Sequence, residues 1–447
     1  METHTVSEAA VGAIFAAQQL TALKLKKSTA AERIARILKL KNVITDHFDL
    51  MLKALYDDYK KPAEEAKLSL GSIFDEIDVD VAFLESWMEP EMVTTPEALG
   101  GDATISKIIY EPKGVCLFIT PWNYPFLLTF HPLITCLAAG NTAIIKPSEL
   151  TTHSSALIKK IVSLAFPEDE VVVIEGGAEV ASDLLDLPFD HIHYTGGSRV
   201  GKIIMKAAAN HLSSVTLELG GKSPAVIDDS ADFADAAGKV AWGKFFNCGQ
   251  TCIAPDYVLV SEQRKNEFIQ TMKATIESMY GTDGPGIDSP KYLRLVNAHH
   301  YRRVKNLLED ALINGANIVT GGTVDDSDNY IAPTLLDNVT SDHAIMKEEI
   351  FGPVLPVLTY RTLNDAVNFI NQGERPLGLY VFGKDKAAIQ SVIGGTTAGG
   401  SVVNHVAMHY MSPFLPFGGV GNSGMGRSHG HFGFMDFSNQ RPVLEMP

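Results

Sequence analysis

The chain predicts an α/β protein of more than one domain, built on parallel sheets covered on both faces by helices. Three features carry this prediction. At 447 residues the chain exceeds one ordinary hydrophobic core, so two or three domains are expected. From about residue 107 to 220, short apolar runs alternate with helical patterns, the mark of βαβ units. A second series of the same kind starts after Gly221, which places a junction, and with it a ligand cleft, near the middle of the chain.

The elements follow in order. Residues about 5 to 90 read as helices. The apolar run Ala9–Ala17 follows acidic Glu2 and Glu8 without a basic flank, which fits a docked amphipathic helix and not a signal peptide. Thr29-Ala30-Ala31-Glu32 is a capping box, and Ile34, Ile37, Leu38, Leu40, Val43, Ile44, Phe48, Met51 and Leu55 continue at helical spacing. Thr94–Thr104 reads as a loop. Ile105–Tyr110 alternates like a strand that leaves its domain and pairs elsewhere. The first α/β series has strands at Val115–Ile119, Thr142–Ile145, Val171–Ile174 and His191–Tyr194, with a helix over Val200–Ala209 beginning near Gly201. In the second, Ala225–Ile227 and Tyr257–Val260 are strands, and a helix over Glu267–Tyr280 stops at Gly281. A helix over Tyr301–Ile313 ends at Asn314-Gly315, before a strand at Asn317–Thr320. No internal repeat or low-complexity tract interrupts the pattern.

Composition narrows the function classes. Hydrophobic residues at 45% and charged residues at 20% are those of a globular protein. A formal net charge of -16 argues against nucleic acid as a partner. An anionic ligand would need a local device such as a helix N-terminus. Four cysteines, Cys116, Cys136, Cys248 and Cys252, are too few for a disulfide scaffold and fit a reducing compartment. With no apolar run of membrane-spanning length, a soluble, cytoplasmic protein is expected.

Two segments carry groups that suit aldehyde chemistry. Cys252, in Gly249-Gln250-Thr251-Cys252, lies thirty-four residues after Glu218, in Glu218-Leu219-Gly220-Gly221-Lys222-Ser223-Pro224. A thiol attacks a carbonyl, and a carboxylate activates water against the resulting thioester. Cys252 is alternatively an inert buried cysteine, or one half of a C-x-x-x-C pair with Cys248. A metal is not expected there, because no second cysteine pair completes a site and His191 and His193 would have to converge on it. Gly419-Val420-Gly421-Asn422-Ser423-Gly424 matches G-x-G-x-x-G in letters. Only 23 residues remain after it, so it reads as a glycine-rich turn and not a dinucleotide fingerprint. The strand-turn-helix at Thr195-Gly196-Gly197-Ser198 is a better phosphate candidate, although such turns occur in any α/β protein.

Taken in order, Pro121-Trp122-Asn123-Tyr124-Pro125, Lys146-Pro147-Ser148-Glu149, Tyr194-Thr195-Gly196, Glu218–Pro224, Gly249–Cys252, Glu348–Pro353 and Leu415–Gly426 resemble the NAD(P)-dependent aldehyde dehydrogenases. The likeness is greatest to the class 3 branch, which oxidises medium-chain, fatty and aromatic aldehydes. It implies an aldehyde-dehydrogenase-like fold of two doubly wound α/β domains. A Rossmann-like cofactor domain would take residues 1–93 and 113–220, and a catalytic domain residues 221–415. Residues 94–112 and 416–447 would form an oligomerisation arm and C-terminal segment of a homodimer, and the chain stops at Pro447 without a membrane-anchoring tail.

The resemblance also implies roles. Cys252 corresponds to the nucleophile, in surroundings that favour the thiolate. Asn123 corresponds to the oxyanion amide and Glu218 to the base for deacylation. Lys146 and Glu149 would meet the adenosine ribose, while Thr195, Gly196 and Ser198 belong to the pyrophosphate turn. Glu349 would hold the nicotinamide ribose, and Phe351 would pack on that side of the ring. Glu149 would repel a 2′-phosphate, so NAD is expected, with NADP possible. Tyr124, Trp242, Phe246 and Phe417 are candidates to line an apolar funnel. His405, His409, His429 and His431 read as packing residues. Whether oxidation joins Cys248 and Cys252 in a reversible disulfide is left open by the sequence. The implied cycle runs through addition of Cys252 to the aldehyde, hydride transfer, and hydrolysis of the thioester to the acid. A dehydrogenase that passes the acyl group to coenzyme A, or a catalytically silent structural or binding protein on the same scaffold, are the alternatives.

Overall fold

The computed structural model describes residues 8–282, 284–287 and 289–447. Four helices open it: Glu8–Leu25, Ala30–Asp46, Phe48–Tyr59 and Ala63–Trp87. The capping box forms as expected, with Thr29 Oγ1 accepting from Glu32 N at 3.3 Å and Glu32 Oε2 accepting from Thr29 N at 2.7 Å. The expected apolar stripe is broken in two at His47, where the backbone leaves the helical region. Within it Ile37, Leu40, Ile44, Met51 and Leu55 are buried, while Leu38 points outward.

A six-stranded sheet follows. Its order is Gly424–Met425, Ser214–Glu218, His191–Thr195, Val115–Ile119, Thr142–Lys146 and Val171–Val173. All neighbours are parallel except the first pair. The strands are apolar on both faces because both are covered. Cys116 and Phe118 join one core with the wholly buried helix Leu127–Ala139, while Val115, Leu117 and Ile119 join another with Phe15 of the first helix. The helix after His191–Thr195 begins at Ser198, three positions before the expected Gly201, because Gly197 takes the extended N-cap conformation.

A seven-stranded sheet occupies the rest: Asn317–Thr320, Thr334–Asp337, Val354–Tyr360, Tyr257–Ser261, Pro224–Ile227, Gly378–Phe382 and Gly400–Val403. It is parallel except at one edge, where Asn317–Thr320 runs antiparallel to Thr334–Asp337. The connection between these two carries only the hairpin Val324–Asp325/Tyr330–Ile331 and no crossover helix, so a parallel pairing is out of reach. Ile105–Pro112 does leave its neighbours. It pairs antiparallel with Glu91–Val93 on one side and Ser438–Glu445 on the other, a separate three-stranded sheet. The expected loop Thr94–Thr104 holds two short 3-10 turns, Glu97–Leu99 and Gly101–Ala103.

Phe118 ties the central strand to the C-terminal segment, stacking on Phe437 with ring centroids 5.6 Å apart. Its side chain is fully buried. Phe118→Ala is expected to cost about 3–5 kcal/mol of stability, read as a lowered urea midpoint.

Candidate active site

The nucleophile segment hangs from the helix Phe233–Phe245, whose N-terminus is capped by the Asp232 side chain. Beyond Phe246, three consecutive residues are left-handed: Asn247 (φ 54), Cys248 (φ 54) and Gly249 (φ 70). A Cβ on Gly249 would lie 2.3 Å from the Gly352 carbonyl oxygen, so only glycine fits there. Asn247 N donates to Glu65 Oε2 at 2.9 Å, and Asn247 Nδ2 donates to the carbonyls of Asn123 and Gln250 at 3.1 and 3.0 Å. The buried Gln250 side chain donates to the carbonyls of Asn247 and Arg294 and accepts from Val296 N.

Asn123 is bound into the same network. Its Nδ2 donates to the Gln250 carbonyl at 3.0 Å, and its own carbonyl accepts from Tyr59 Oη at 3.0 Å. The amide nitrogen carries two protons, so one donor remains for a ligand. Tyr124 Oη lies 2.7 Å from Thr251 Oγ1, beside Cys252. Over the Tyr124 ring, at 4.0 Å from its centroid, sits the ammonium of Lys61, which also lies 5.7 Å from the Phe246 ring. Lys61 is 1% exposed, and burial lowers its pKa to about 7 against the opposing pull of Glu65. Nothing in the sequence marks it, since a lysine in a helical region is ordinarily solvated.

Cys252 is partly exposed and packs with Ile253, Leu377 and Phe417, with Ala407 and Tyr410 beside them. The protein groups around it do not by themselves favour the thiolate. Burial pushes the thiol upward, and the Glu349 and Glu218 carboxyls push it further. The Cys252 and Ile253 backbone N–H groups pull the other way without overcoming this. Cys248 turns away into the main core, its Sγ donating to Tyr292 Oη at 3.3 Å.

Glu218 ends its strand 6% exposed. Burial raises its pKa to about 7, helped by Asp436 and opposed by hydrogen bonds from the Ser428 and Thr195 hydroxyls. Glu349 is also enclosed, and burial with the nearby Asp256 carboxylate raises it to about 8 while Gly221 N–H restrains the rise. Thus the two carboxyls act on the thiol, and the Asn123 amide is bonded two residues before it. Phe417 belongs to the apolar cluster against which Cys252 packs, and Tyr124 meets the neighbouring Thr251. Trp242 and Phe246 instead pack on each other at 5.6 Å, and Trp242 on His405 at 5.8 Å.

Between the two large sheets lies a cleft of ≈ 1010 Å³, lined by Ser198, Gly220, Gly221, Lys222, Glu349 and Asn422 among others. Its size is that of a cofactor site. Ser198 opens the helix Ser198–His211, which offers unpaired N–H donors. Lys222 reaches Asp256 and donates to the carbonyls of Ile345 and Glu348. Lys146 Nζ donates to Glu149 Oε2 at 2.7 Å, so the two are paired with each other. Thr195 bonds Glu218, Gly196 N donates to the Glu218 carbonyl at 3.0 Å, and Phe351 (φ 47) packs edge-on against Trp122. The glycine-rich turn is no phosphate loop between strand and helix, because Gly424 pairs antiparallel with Glu218. Its Gly421 and Asn422 nevertheless line the cleft. Among the described residues no cluster of three or more His, Cys, Asp or Glu is arranged to hold a metal.

Comparison with known proteins agrees with this geometry. The family model for the aldehyde dehydrogenase family matches residues 1–443. The chain is 44% identical to the 4,4'-diaponeurosporen-aldehyde dehydrogenase of Staphylococcus aureus over 433 residues, covering 97% of this chain and 91% of that protein. It is 42% identical to the dimeric NADP-preferring aldehyde dehydrogenase of Mus musculus over 414 residues, 92% of this chain and 89% of that one. Its fold superposes on the substrate-bound Staphylococcus aureus AldH with a TM-score of 0.93, at 43% identity and with 98% and 94% of the two chains covered. The chain therefore belongs to the aldehyde dehydrogenase family, enzymes that oxidise aldehydes to carboxylic acids with NAD(P).

Proposed function

We propose that Cys252 is the nucleophile, Asn123 Nδ2 and the Cys252 N–H the oxyanion donors, and Glu218 the base that turns water on the thioester. The observation that supports this reading is that Asn123 Nδ2 is bonded to the Gln250 carbonyl, two residues before Cys252, while the Glu218 and Glu349 carboxyls lie near enough to act on the sulfur. As the carbonyl is attacked, negative charge grows on its oxygen, and the fixed Asn123 donor meets it without reorganising. Glu218, poised near 7, then takes a proton from water with little driving force lost either way.

The dinucleotide fits the cleft between the sheets. Ser198 and the helix start behind it, the bare backbone of Gly220 and Gly221, Lys222 and Glu349 would hold it. When bound, its nicotinamide supplies the hydride acceptor and a positive charge beside the thiol. That charge offsets the two carboxyls which oppose the thiolate, so thiol activation depends on cofactor binding. NAD is the preferred form in this reading, because Glu149 sets a carboxylate against a 2′-phosphate. Lys146, ion-paired with it, softens the repulsion and leaves NADP usable.

The aldehyde is apolar, medium-chain or aromatic. Phe417 and Tyr124 line the approach to Cys252, with Trp242 and Phe246 further out, and Met408, Met411, Phe414 and Leu415 are exposed in the loop that leads to Phe417. Water and not coenzyme A receives the acyl group, since Glu218 stands ready beside it. We read the protein as a cytoplasmic homodimer, a reading supported by the sparse cysteines and by the separate three-stranded sheet that would serve as its arm. Among the described residues no helix is long and apolar enough to cross a membrane.

Cys252→Ser is expected to abolish aldehyde-dependent NADH formation, and near-normal turnover would remove the mechanism. Asn123→Ala should lower kcat about 100-fold or more, roughly 3 kcal/mol of barrier, without weakening dinucleotide binding measured by fluorescence titration. Below about pH 7 the Glu218 carboxyl is mostly neutral and cannot accept a proton, so deacylation should decline as pH falls through that value and level off above it. In Glu218→Gln a first burst of NADH should be followed by arrest, with the acyl adduct visible by mass spectrometry.

A further inference from the structure

The base is itself held from behind. Ser428 Oγ donates to Glu218 Oε1, and the Ser428 backbone is locked by a reciprocal pair of bonds with Phe417, at 3.1 and 2.7 Å. The hydroxyl has one proton. When Glu218 is ionised that proton points at the carboxylate, and the contact at 3.0 Å between Ser428 Oγ and His429 Nδ1 is then satisfied by the imidazole tautomer protonated at Nδ1. His429 is 2% exposed and sits at φ 80, a conformation unfavourable for any residue but glycine. It is kept there by its neighbours. Gly430 N donates to Glu76 Oε1 at 2.7 Å, and the imidazole is boxed by His131, Tyr410 and Phe417 at 4.3, 4.6 and 5.1 Å between centroids.

We propose that Ser428 is the positioning residue of the general base, orienting the Glu218 carboxylate through a hydrogen bond that His429 and the buried Glu76–His131 group hold in place. This rests on the assignment of Glu218 as the base. The supporting group is suited to the task because it is neutral. His131 Nε2 lies 3.4 Å from Glu76 Oε2, yet burial lowers the histidine to about 3 and raises the acid to about 8. Burial also lowers His429 and raises Asp80, one turn beyond Glu76. The groups facing Glu218 are then the Thr195 and Ser428 hydroxyls, the Cys252 thiol, the Tyr410 phenol and the buried Asp436, whose carboxylate raises Glu218. Against that rise stand the Ser428 and Thr195 hydrogen bonds, of which the Ser428 contact is the closer, so its removal leaves only the longer Thr195 contact to oppose burial and Asp436.

The test separates the pH midpoint of deacylation from acylation. In Ser428→Ala the NADH burst should keep its size, the steady state at pH 6.5 should fall about tenfold, and the midpoint should rise by about one pH unit, the scale of a lost charge-assisted hydrogen bond. Ser428→Thr, which keeps the hydroxyl, should return both to within about twofold of the parent. Ser428→Cys, a weak donor of similar size, should move the midpoint in the same upward direction as alanine and serves if alanine does not fold. An unmoved midpoint in Ser428→Ala or Ser428→Cys overturns the proposal, as does equal damage in Ser428→Thr. If Glu218→Gln arrests turnover while the Ser428 variants leave the midpoint alone, only the role of Ser428 fails. If Glu218→Gln turns over normally, the assignment of the base fails first.

Discussion

The chemistry depends on a short length of backbone held in an unfavourable conformation. Asn247 and Cys248 both sit in the left-handed region, where each non-glycine residue gives up about 1–2 kcal/mol. Gly249 completes the bend against the Gly352 carbonyl. The conformation is held from three directions: Glu65 on the fourth helix, Asn123 beyond the central strand, and the Gln250 side chain anchored on the carbonyl of Arg294. The N-terminal helices, which look like outer cover, therefore buttress the nucleophile. The same bonds tie Asn123 to the segment that leads into Cys252.

Burial then acts on the groups around that segment in opposite senses. For Glu218 it is useful, since an enclosed carboxyl poised near 7 makes a base that can both take and release a proton. For Cys252 the same enclosure, with two acids nearby, holds the proton on sulfur.

The C-terminal glycine-rich turn shows how one local pattern serves a different end from the one its letters suggest. Its glycines do not cradle phosphate between a strand and a helix. They let the chain run close against the strand of Glu218, where Gly424 pairs with that residue and a Cβ on Gly424 would lie 2.2 Å from the Leu217 carbonyl oxygen. The close approach carries Ser428 under the carboxylate and Asn422 to the rim of the cleft.

Much of this was legible beforehand. The strands read at 115–119, 142–145, 191–194 and 257–260, each found to within one residue, and the helix stop at Gly281 announce themselves because backbone period and glycine stereochemistry act over a few residues. Cys252 and Glu218 stand out because few residue types can do such work, whereas Asn123 is marked only by the family resemblance. What stayed hidden depends on contacts between residues far apart in sequence: Lys61 over Tyr124, Ser428 on Glu218, and the antiparallel edge at Asn317–Thr320. The carboxyls near the thiol were hidden for the same reason, because Glu349 and Glu218 reach it only in the folded chain. By itself the sequence determined which residues can react and which segments form strands and helices, for these follow from side-chain chemistry and local periodicity. Only the tertiary structure decided which of those groups share a cavity and what charge each carries there, because field and dielectric belong to the surroundings that folding assembles.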